Sequence, residues 1–369
     1  MRLLSKYNII LFLLFSLTLT FCTEKSEVNT DDPSNLVVEI VSIDHEIGFV
    51  QIQATADNAT LYQLYIGSDE TPEEVNNTGY FEYKFGGQGI YEFTIRAYGS
   101  SGRYVKKNRQ VNVAFQAEEI PLNKGNFSPL EYTGYNLVWQ NEFNGSQLNT
   151  DDWSYETGGG GWGNNELENY RPENAWVGDS VLTIEARMES YGGANYTSAR
   201  IITKGKQEFQ YGRIDIRALL PEGKGIWPAL WMLGGNISSV SWPDCGEIDI
   251  MEMVGGNDGE YHVYGTLHWE YNNEHADAGG SILLPSSVDN FAEAYHVFSI
   301  EWNENLIQFF VDDQIYYTID ITGSDMSEFH QPHFFIFNIA VGGNWPGSPD
   351  NSTIFPQQMK VDYVRVFQK

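Results

Sequence analysis

The chain has 369 residues, and 50 acidic side chains outnumber 21 Lys and Arg, which gives a formal net charge of −29. Such a chain repels nucleic acid and anionic membrane surfaces, so the charge argues against partners bound through phosphates and favours a neutral substrate. The length suggests two domains, and a hydrophobic content of 41% excludes global disorder. With only two cysteines, a disulfide framework is also excluded.

The N-terminus is typical of an export signal. Arg2 and Lys6 precede an apolar run at residues 7–21, which is too short to span a membrane as a helix and ends at Cys22. The segment before this cysteine resembles a bacterial lipoprotein signal, although Phe21 stands where a small residue is usual.

We therefore predict a signal peptide over residues 1–22, lipidation of Cys22 and a polar tether over residues 23–35. The predicted location is the bacterial cell envelope, with the lipid as the only membrane contact. An ordinary secretory signal with an incidental cysteine is the alternative, and it predicts a freely secreted protein.

Residues 36–115 contain no tryptophan and show short alternating runs between Gly, Asn and Asp residues, which predicts a small β-sandwich. Residues 89–102 resemble the late strands of PKD or immunoglobulin-like modules. Such a module is either a spacer or a glycan-binding unit, because a fold alone does not give a function. Residues 116–134 contain two Pro and two Gly and are predicted to be a linker.

Residues 135–369 contain all ten tryptophans and many short alternating runs, such as residues 181–186 and 296–302. Long helical periodicity is absent. We therefore predict an all-β protein in which this second domain is one large sandwich with curved sheets.

The strand-like segment at residues 245–255 has three carboxylates among Ile, Met and Val residues. On a regular strand Glu247 and Asp249 share one face and Glu252 points the other way. One extra residue, a β-bulge near Ile250 and Met251, would bring Glu252 back to the face of the other two acids.

Three acids on one surface suit the cleavage of a glycosidic bond, in which one carboxylate attacks the anomeric carbon and another gives and later takes a proton. The third can hold the nucleophile and separate the two pKa values. A solvated acidic edge or a calcium site are the alternatives, but a solvated edge does not explain why the alternation breaks.

The motif Glu-Ile-Asp-Ile-Met-Glu at residues 247–252 resembles the bulged signature of family 16 glycoside hydrolases. The laminarinase branch of that family has similar motifs at residues 139–145, 161–170, 196–200, 227–234, 338–347 and 355–366. The resemblance implies a β-jelly roll and a retaining, endo-acting β-glucanase. It further implies that Glu247 is the nucleophile, Asp249 the assisting acid and Glu252 the acid/base. We expect Glu247 to be ionised and a neighbouring negative charge to raise the pKa of Glu252.

Sugar faces are apolar and their edges are polar, so tryptophans and amides are the expected binding groups. The predicted stacking residues, each of which could instead be core, are Trp227, Trp231, Trp242 and Trp345. The positions that resemble family residues lining the negative subsites are Asn164, Glu166 and Arg200. His268 resembles a family histidine near the acid/base, with a structural histidine as the alternative.

No catalytic metal or other catalytic cofactor is predicted, because the seven histidines lack metalloprotease spacing. The resemblance implies a structural Ca²⁺ held by Glu142, a backbone carbonyl near Ser180, and Asp362. Oxygen ligands suit that ion. Pairing of Asp362 with a neighbouring side chain is the alternative. Cys245 is expected to be a packed thiol.

The leading hypothesis is a monomeric endo-1,3-β-glucanase that acts on a neutral, laminarin-like glucan. Within the same class, a mixed-linkage 1,3-1,4-glucanase or an agarase is the alternative. Carrageenases and porphyranases act on sulfated polysaccharides, so an enzyme of either kind would require a basic groove. A non-enzymatic glucan-binding surface protein would have lost Glu247 or Glu252, and both are present.

Overall fold

The computed structural model describes residues 32–44, 48–67, 71–85, 89–113, 119–257 and 259–369. The predicted signal peptide, Cys22 and most of the predicted tether lie outside the described residues. Within the described ranges, no helix is both long enough and apolar enough to span a membrane.

The described residues of the first unit form seven strands in two sheets, which enclose a core of their own. Its strands are β1 (Ser34–Asp44), β2 (Phe49–Asp57), β3 (Ala59–Ile66), β4 (Glu74–Asn76), β5 (Tyr80–Lys84), β6 (Gly89–Gly99) and β7 (Tyr104–Val113). One sheet has the order β1-β2-β5 and the other β4-β3-β6-β7. The first strand begins at Ser34, two residues before the predicted boundary, and Asp32 already pairs with Arg103 at 2.8 Å. Membership of the PKD or immunoglobulin class stays a prediction.

The second unit contains seventeen strands and four short 3-10 helices among the described residues. The strands are β8 (Asn136–Asn141), β9 (Ser154–Glu156), β10 (Glu168–Tyr170), β11 (Ala175–Gly178), β12 (Val181–Ala186), β13 (Tyr196–Ser198), β14 (Arg200–Ile202), β15 (Gly212–Leu219), β16 (Ile226–Gly234), β17 (Glu247–Met253), β18 (His262–Tyr271), β19 (Glu274–Leu283), β20 (His296–Trp302), β21 (Leu306–Val311), β22 (Gln314–Asp320), β23 (His333–Val341) and β24 (Gln357–Gln368). The 3-10 helices are Pro172–Asn174, Gly235–Ser238, Gly259–Tyr261 and Ser327–His330.

Two large antiparallel sheets make up most of the described part of this unit, and β10 and β13 form a separate parallel pair. The groove sheet has the order β19-β18-β17-β16-β23-β14-β9, and the outer sheet has the order β11-β12-β24-β15-β20-β21-β22, with β8 also paired to β24. One hydrophobic core collects residues from both sheets, such as Ile248 of β17 and Val364 of β24. The predicted all-β sandwich is therefore confirmed.

Strand β15 shows how sequence alternation positions the two layers. Ile214 and Ile216 point into the core, whereas Arg213, Asp215 and Arg217 occupy the opposite face of the outer sheet. These charged side chains are buried nonetheless, so another part of the chain must cover them.

Residues 119–134, within the predicted linker, supply that cover. The Arg217 guanidinium donates hydrogen bonds to the carbonyl oxygens of Leu122, Lys124 and Asn126. The Tyr132 hydroxyl donates to Asp215 at 2.7 Å. This part of the predicted linker is therefore packed against the outer sheet and satisfies its buried charges.

Candidate active site

Strand β17 contains the predicted bulge. Against β16, Trp231 pairs with Asp249 and the adjacent Leu230 pairs with Met251, so Ile250 is the extra residue. Against β18, Asp249 pairs with Thr266 and Glu252 pairs with Tyr264, and the register shifts between these two pairs. The alternation therefore shifts by one residue between the second and third acids.

The bulge separates the apolar side chains of β17 from its acids. Ile250 and Met251 follow one another in sequence, yet both are buried in the core shared by the two sheets. Glu247, Asp249 and Glu252 instead line the groove on the opposite face of the sheet. One strand thus contributes both to the core and to a row of three carboxyl groups.

Two indole groups hold the outer two acids. Trp242 donates from Nε1 to Oε2 of Glu247, and Trp227 donates from Nε1 to Oε1 of Glu252, each at 3.0 Å. Such bonds favour the charged form of a carboxyl group and fix its orientation. Trp242 is 46% exposed, so it is not a core residue and offers surface to a ligand.

The middle acid is the most enclosed of the three, with Asp249 only 3% exposed. His268 is paired with Glu247 in the β17–β18 ladder. Its Nε2 lies 3.1 Å from Oδ2 of Asp249 and 3.8 Å from Oε1 of Glu247. The histidine thus faces two of the three acids.

Burial dominates the electrostatics of this row. It raises the pKa of Asp249 and of Glu252 to about 8 each, and the charge of Asp249 is the second cause for Glu252. Burial, and then Asp249, also raise the pKa of Glu247. The expected neighbouring charge is therefore real but is a smaller cause than burial. The raised pKa of Glu247 opposes the ionised state that the sequence analysis expects for this residue.

A polar network lies on the β14 side of the acids. Arg200 donates from Nε to Glu156 at 2.6 Å, and its guanidinium lies 4.9 Å from the ring centroids of both Trp162 and Trp231. Glu166 accepts hydrogen bonds from Asn164 and from the Tyr170 hydroxyl, each at 3.1 Å. The predicted polar binding residues are therefore held by their neighbours.

The three acids and the eight predicted binding residues all line one groove of about 660 Å³. The eight are Asn164, Glu166, Arg200, Trp227, Trp231, Trp242, His268 and Trp345. Trp345 is 44% exposed and packs edge-on against Trp227, with ring centroids 5.5 Å apart. The groove therefore has aromatic groups beside both Glu247 and Glu252, and the roles of all these residues stay predictions.

Several groove residues were not predicted, including Trp162, Tyr264, His275, Asp277 and Asn338. The cross-strand partners of β17 could have indicated Tyr264, which stands opposite Glu252. Asn338 stands opposite Arg200 and Ala229, a pairing that needs the sheet order. No local sequence signal reveals that order.

The residues nominated for calcium lie near the point where β24 changes its partner strand. Strand β24 pairs with β12 as far as Val361 and with β8 from Val364 onward. Both Glu142 side-chain oxygens accept from Arg365, at 2.7 and 2.8 Å, and Asp362 Oδ2 accepts from Arg217 at 2.7 Å. The pairing of Asp362 with a neighbour, the alternative reading, is thus present.

Those side chains consequently do not form an open cluster of oxygen ligands. An ion at this junction would depend on main-chain carbonyl groups and the second Asp362 oxygen. Calcium stays a prediction.

Cys245, just before β17, is fully buried, and burial raises the pKa of its thiol to about 11. It is therefore a packed thiol and not a nucleophile, as expected.

Comparisons with known proteins show the family of this chain. Residues 165–365 match the model of "Glycosyl hydrolases family 16". The chain is 46% identical over 250 residues to the beta-glucanase of Rhodothermus marinus, which covers 63% of this chain and 85% of that protein.

Solved structures give the same result. The laminarinase catalytic domain from Thermotoga maritima is similar with a TM-score of 0.59 and 46% identity, over 64% of this chain and 98% of that one. The laminarinase from Flavobacterium sp. UMI-01 has a TM-score of 0.55 and 40% identity, over 63% and 100% of the two chains. The predicted jelly roll is confirmed, and the chain belongs to glycoside hydrolase family 16.

Proposed function

We propose that the chain is a retaining, endo-acting glycoside hydrolase that cleaves β-1,3-glucans of the laminarin type. The observation that carries this proposal is the bulged strand β17, which places Glu247, Asp249 and Glu252 on one groove floor between exposed tryptophans. The names of three similar proteins, a beta-glucanase and two laminarinases, support the choice of glucan.

In the first step a Glu247 oxygen attacks the anomeric carbon while the glycosidic bond breaks. Glu252, whose raised pKa keeps a proton near neutral pH, gives that proton to the leaving oxygen. In this proposal Asp249 is the protonated neighbour of Glu247, so that the negative charge stays on the attacking group.

In the second step Glu252, now a carboxylate, takes a proton from a water molecule. The resulting hydroxide equivalent attacks the anomeric carbon from the opposite side and releases Glu247. Two inversions at one carbon restore the β-configuration. The indole donors to Glu247 and Glu252 orient both groups through both steps.

Product analysis on laminarin, curdlan, agarose and barley β-glucan tests the proposal. We expect laminarin and curdlan to be cut early into oligosaccharides of many lengths, as an endo-acting enzyme does. Glu247→Gln is the inactive control, because it keeps the side-chain shape and removes the nucleophile. Cleavage of barley β-glucan alone would indicate a mixed-linkage enzyme, and cleavage of agarose alone would indicate an agarase.

We further propose that the enzyme is anchored to the cell envelope through a lipid on Cys22 and that the first unit is a spacer. The composition of residues 1–22 supports the anchor. Cys22→Ser should move the protein from the membrane fraction to the soluble fraction. Unchanged fractionation would contradict the anchor, while leaving the proposed activity untouched.

A further inference from the structure

Three side chains with metal-binding groups face one another on strands β18 and β19. His268 and Asp277 are direct cross-strand partners, and His275 is two residues from Asp277 on the same strand. Residues two apart in a strand share a face, so all three point the same way. One ligand atom from each lies within 4.8 Å of the other two.

The contact between the two histidines is close. Nδ1 of His268 lies 2.8 Å from Nε2 of His275, and the rings are stacked with centroids 5.0 Å apart. At this distance one imidazole donates its ring N–H to the other, and an ion bound by both rings would replace that proton.

The chemistry of the donors selects the class of ion. Two imidazoles and one carboxylate suit Zn²⁺ and related transition metals, whereas Ca²⁺ and Mg²⁺ prefer oxygen ligands. His275 and Asp277 are exposed, so an ion can reach the cluster and keep a water ligand. The acids of β17 and the net charge of −29 make the surroundings attractive to a divalent cation.

The position of the cluster gives the ion a consequence. Strands β18 and β19 lie on one side of β17, and Arg200 of β14 lies on the other side, beyond β16 and β23. His268 and His275 also face Trp242, whose ring centroid is 6.3 and 4.7 Å from theirs. An ion bound there would stand in the groove on the side opposite the predicted negative subsites and beside Glu247.

We propose that His268, His275 and Asp277 form a binding site for a transition-metal ion of the Zn²⁺ class, and that the bound ion inhibits the enzyme by obstructing the groove. The binding stands on the cluster alone. The inhibition rests on the proposed function, because it requires the glucan to cross this part of the groove.

Titration calorimetry with Zn²⁺ on the full-length protein tests the binding. We expect one ion per chain, with at least about tenfold weaker binding in His275→Ala and in Asp277→Asn, since each removes one of three ligands. His262→Ala is the matched control, because it removes a histidine of the neighbouring strand β18 that lies outside the cluster. Circular dichroism and melting curves would show that each variant is folded.

Absent binding in the parent would overturn the proposal. Binding that survives both substitutions would also overturn it, since that result would place the ion on the alternative group of Glu247, Asp249 and His268.

Inhibition is measured separately, as the ratio of laminarin hydrolysis with and without Zn²⁺ in each protein. We expect a loss in the parent that a chelator reverses and a much smaller loss in His275→Ala. Binding without inhibition would refute the obstruction of the groove. A chain inactive on every glucan would refute the proposed function, and the calorimetry would still decide whether the metal site exists.

Discussion

The indole of Trp227 donates a hydrogen bond to the Glu252 carboxyl group, with Nε1 and Oε1 3.0 Å apart. The same indole packs edge-on against Trp345 and lines the groove. One side chain therefore contacts the proposed proton donor and the aromatic wall of the sugar site. Its hydrogen bond lowers the pKa of Glu252, in opposition to burial, which raises it.

Trp227→Phe should move the alkaline limb of the pH profile of kcat/KM upward. The substitution keeps an aromatic ring but removes the donor that favours the charged carboxylate, so the pKa of Glu252 rises further. A hydrogen bond to a charged group contributes about 1.5–3 kcal/mol, which corresponds to a shift of about one pH unit or more. Trp345→Phe is the control, because it changes the wall and leaves the bond intact. A downward shift in Trp227→Phe would contradict this role.

The two glutamates should give opposite products with azide. Glu252→Ala should lose most activity, yet azide should rescue it on an activated aryl β-glycoside and yield the β-glycosyl azide, since the nucleophile remains. Glu247→Ala should instead give the α-azide, because azide then replaces the nucleophile. The products are distinguished by NMR.

The unaltered enzyme provides the companion measurement. Its first-formed product should have the β-configuration in an NMR time course. An α-anomer formed first would refute double displacement, whereas swapped azide products would keep the mechanism and reverse the two roles.

Two truncations should differ in stability. A chain that starts at residue 119 keeps the segment that covers Arg217, while a chain that starts at residue 135 exposes it and removes its three carbonyl partners. Loss of several hydrogen bonds to one buried charge costs several kcal/mol, so we expect the shorter chain to melt on the order of 10 °C lower. Calorimetry measures the difference.

The chain that starts at residue 119 also tests whether the first unit is a spacer. It should hydrolyse soluble laminarin at near-full rate, because the groove is built from residues 162–345. A folded chain of this length without activity would make the first unit part of the site. Equal melting temperatures of the two truncations would show that the segment before residue 135 contributes no stability.

Glu168 should make the stability of the fold depend on pH. It is 1% exposed, and burial, followed by the charge of Glu166, raises its pKa to about 8. Between the unfolded pKa of about 4.5 and the folded value, Glu168 holds a proton in the folded state that it has lost in the unfolded state. The contribution of Glu168 to the free energy of unfolding therefore falls as the pH rises through that window. The slope from one such group is up to about 1.4 kcal/mol per pH unit.

Glu168→Gln should remove this part of the slope, since the amide cannot titrate and still offers an oxygen to the Val341 N–H that Glu168 now binds. Chemical denaturation at several values between pH 5 and 8.5 measures it. We expect the free energy of unfolding of the variant to rise relative to that of the parent as the pH rises. Parallel curves for the two proteins would show that Glu168 does not titrate in this range.

Calcium, if it binds, should affect stability and leave turnover unchanged. Its nominated residues, Glu142, Ser180 and Asp362, belong to the outer sheet or its connecting turns, whereas the acids lie on the groove sheet. Binding to the folded state alone raises the melting temperature by mass action. Asp362→Asn should abolish the calcium-dependent part of that rise. Loss of activity with a chelator, at temperatures where the fold survives, would show that a metal is catalytic.

The acid row was predictable from the sequence because its signal is local. Alternation fails at Ile250 and Met251, and a failed alternation in an apolar strand requires either a buried charge or a bulge. The predicted row of Glu247, Asp249 and Glu252 then depends only on their sharing a face. The tryptophans near Gly and Pro residues were predictable for the same reason, as positions within recognisable short motifs.

Tertiary structure alone decided which distant groups meet. The contact of His268 with His275 requires the register of β18 with β19, and the cover over Arg217 requires a segment about ninety residues earlier in the chain to return to the outer sheet. Burial, which is the main cause of the raised pKa of Asp249, likewise depends on both sheets. A sequence specifies the face of each side chain through local periodicity, but the pairing of strands is set by the free energy of packing the whole core, to which residues far apart in the chain contribute together.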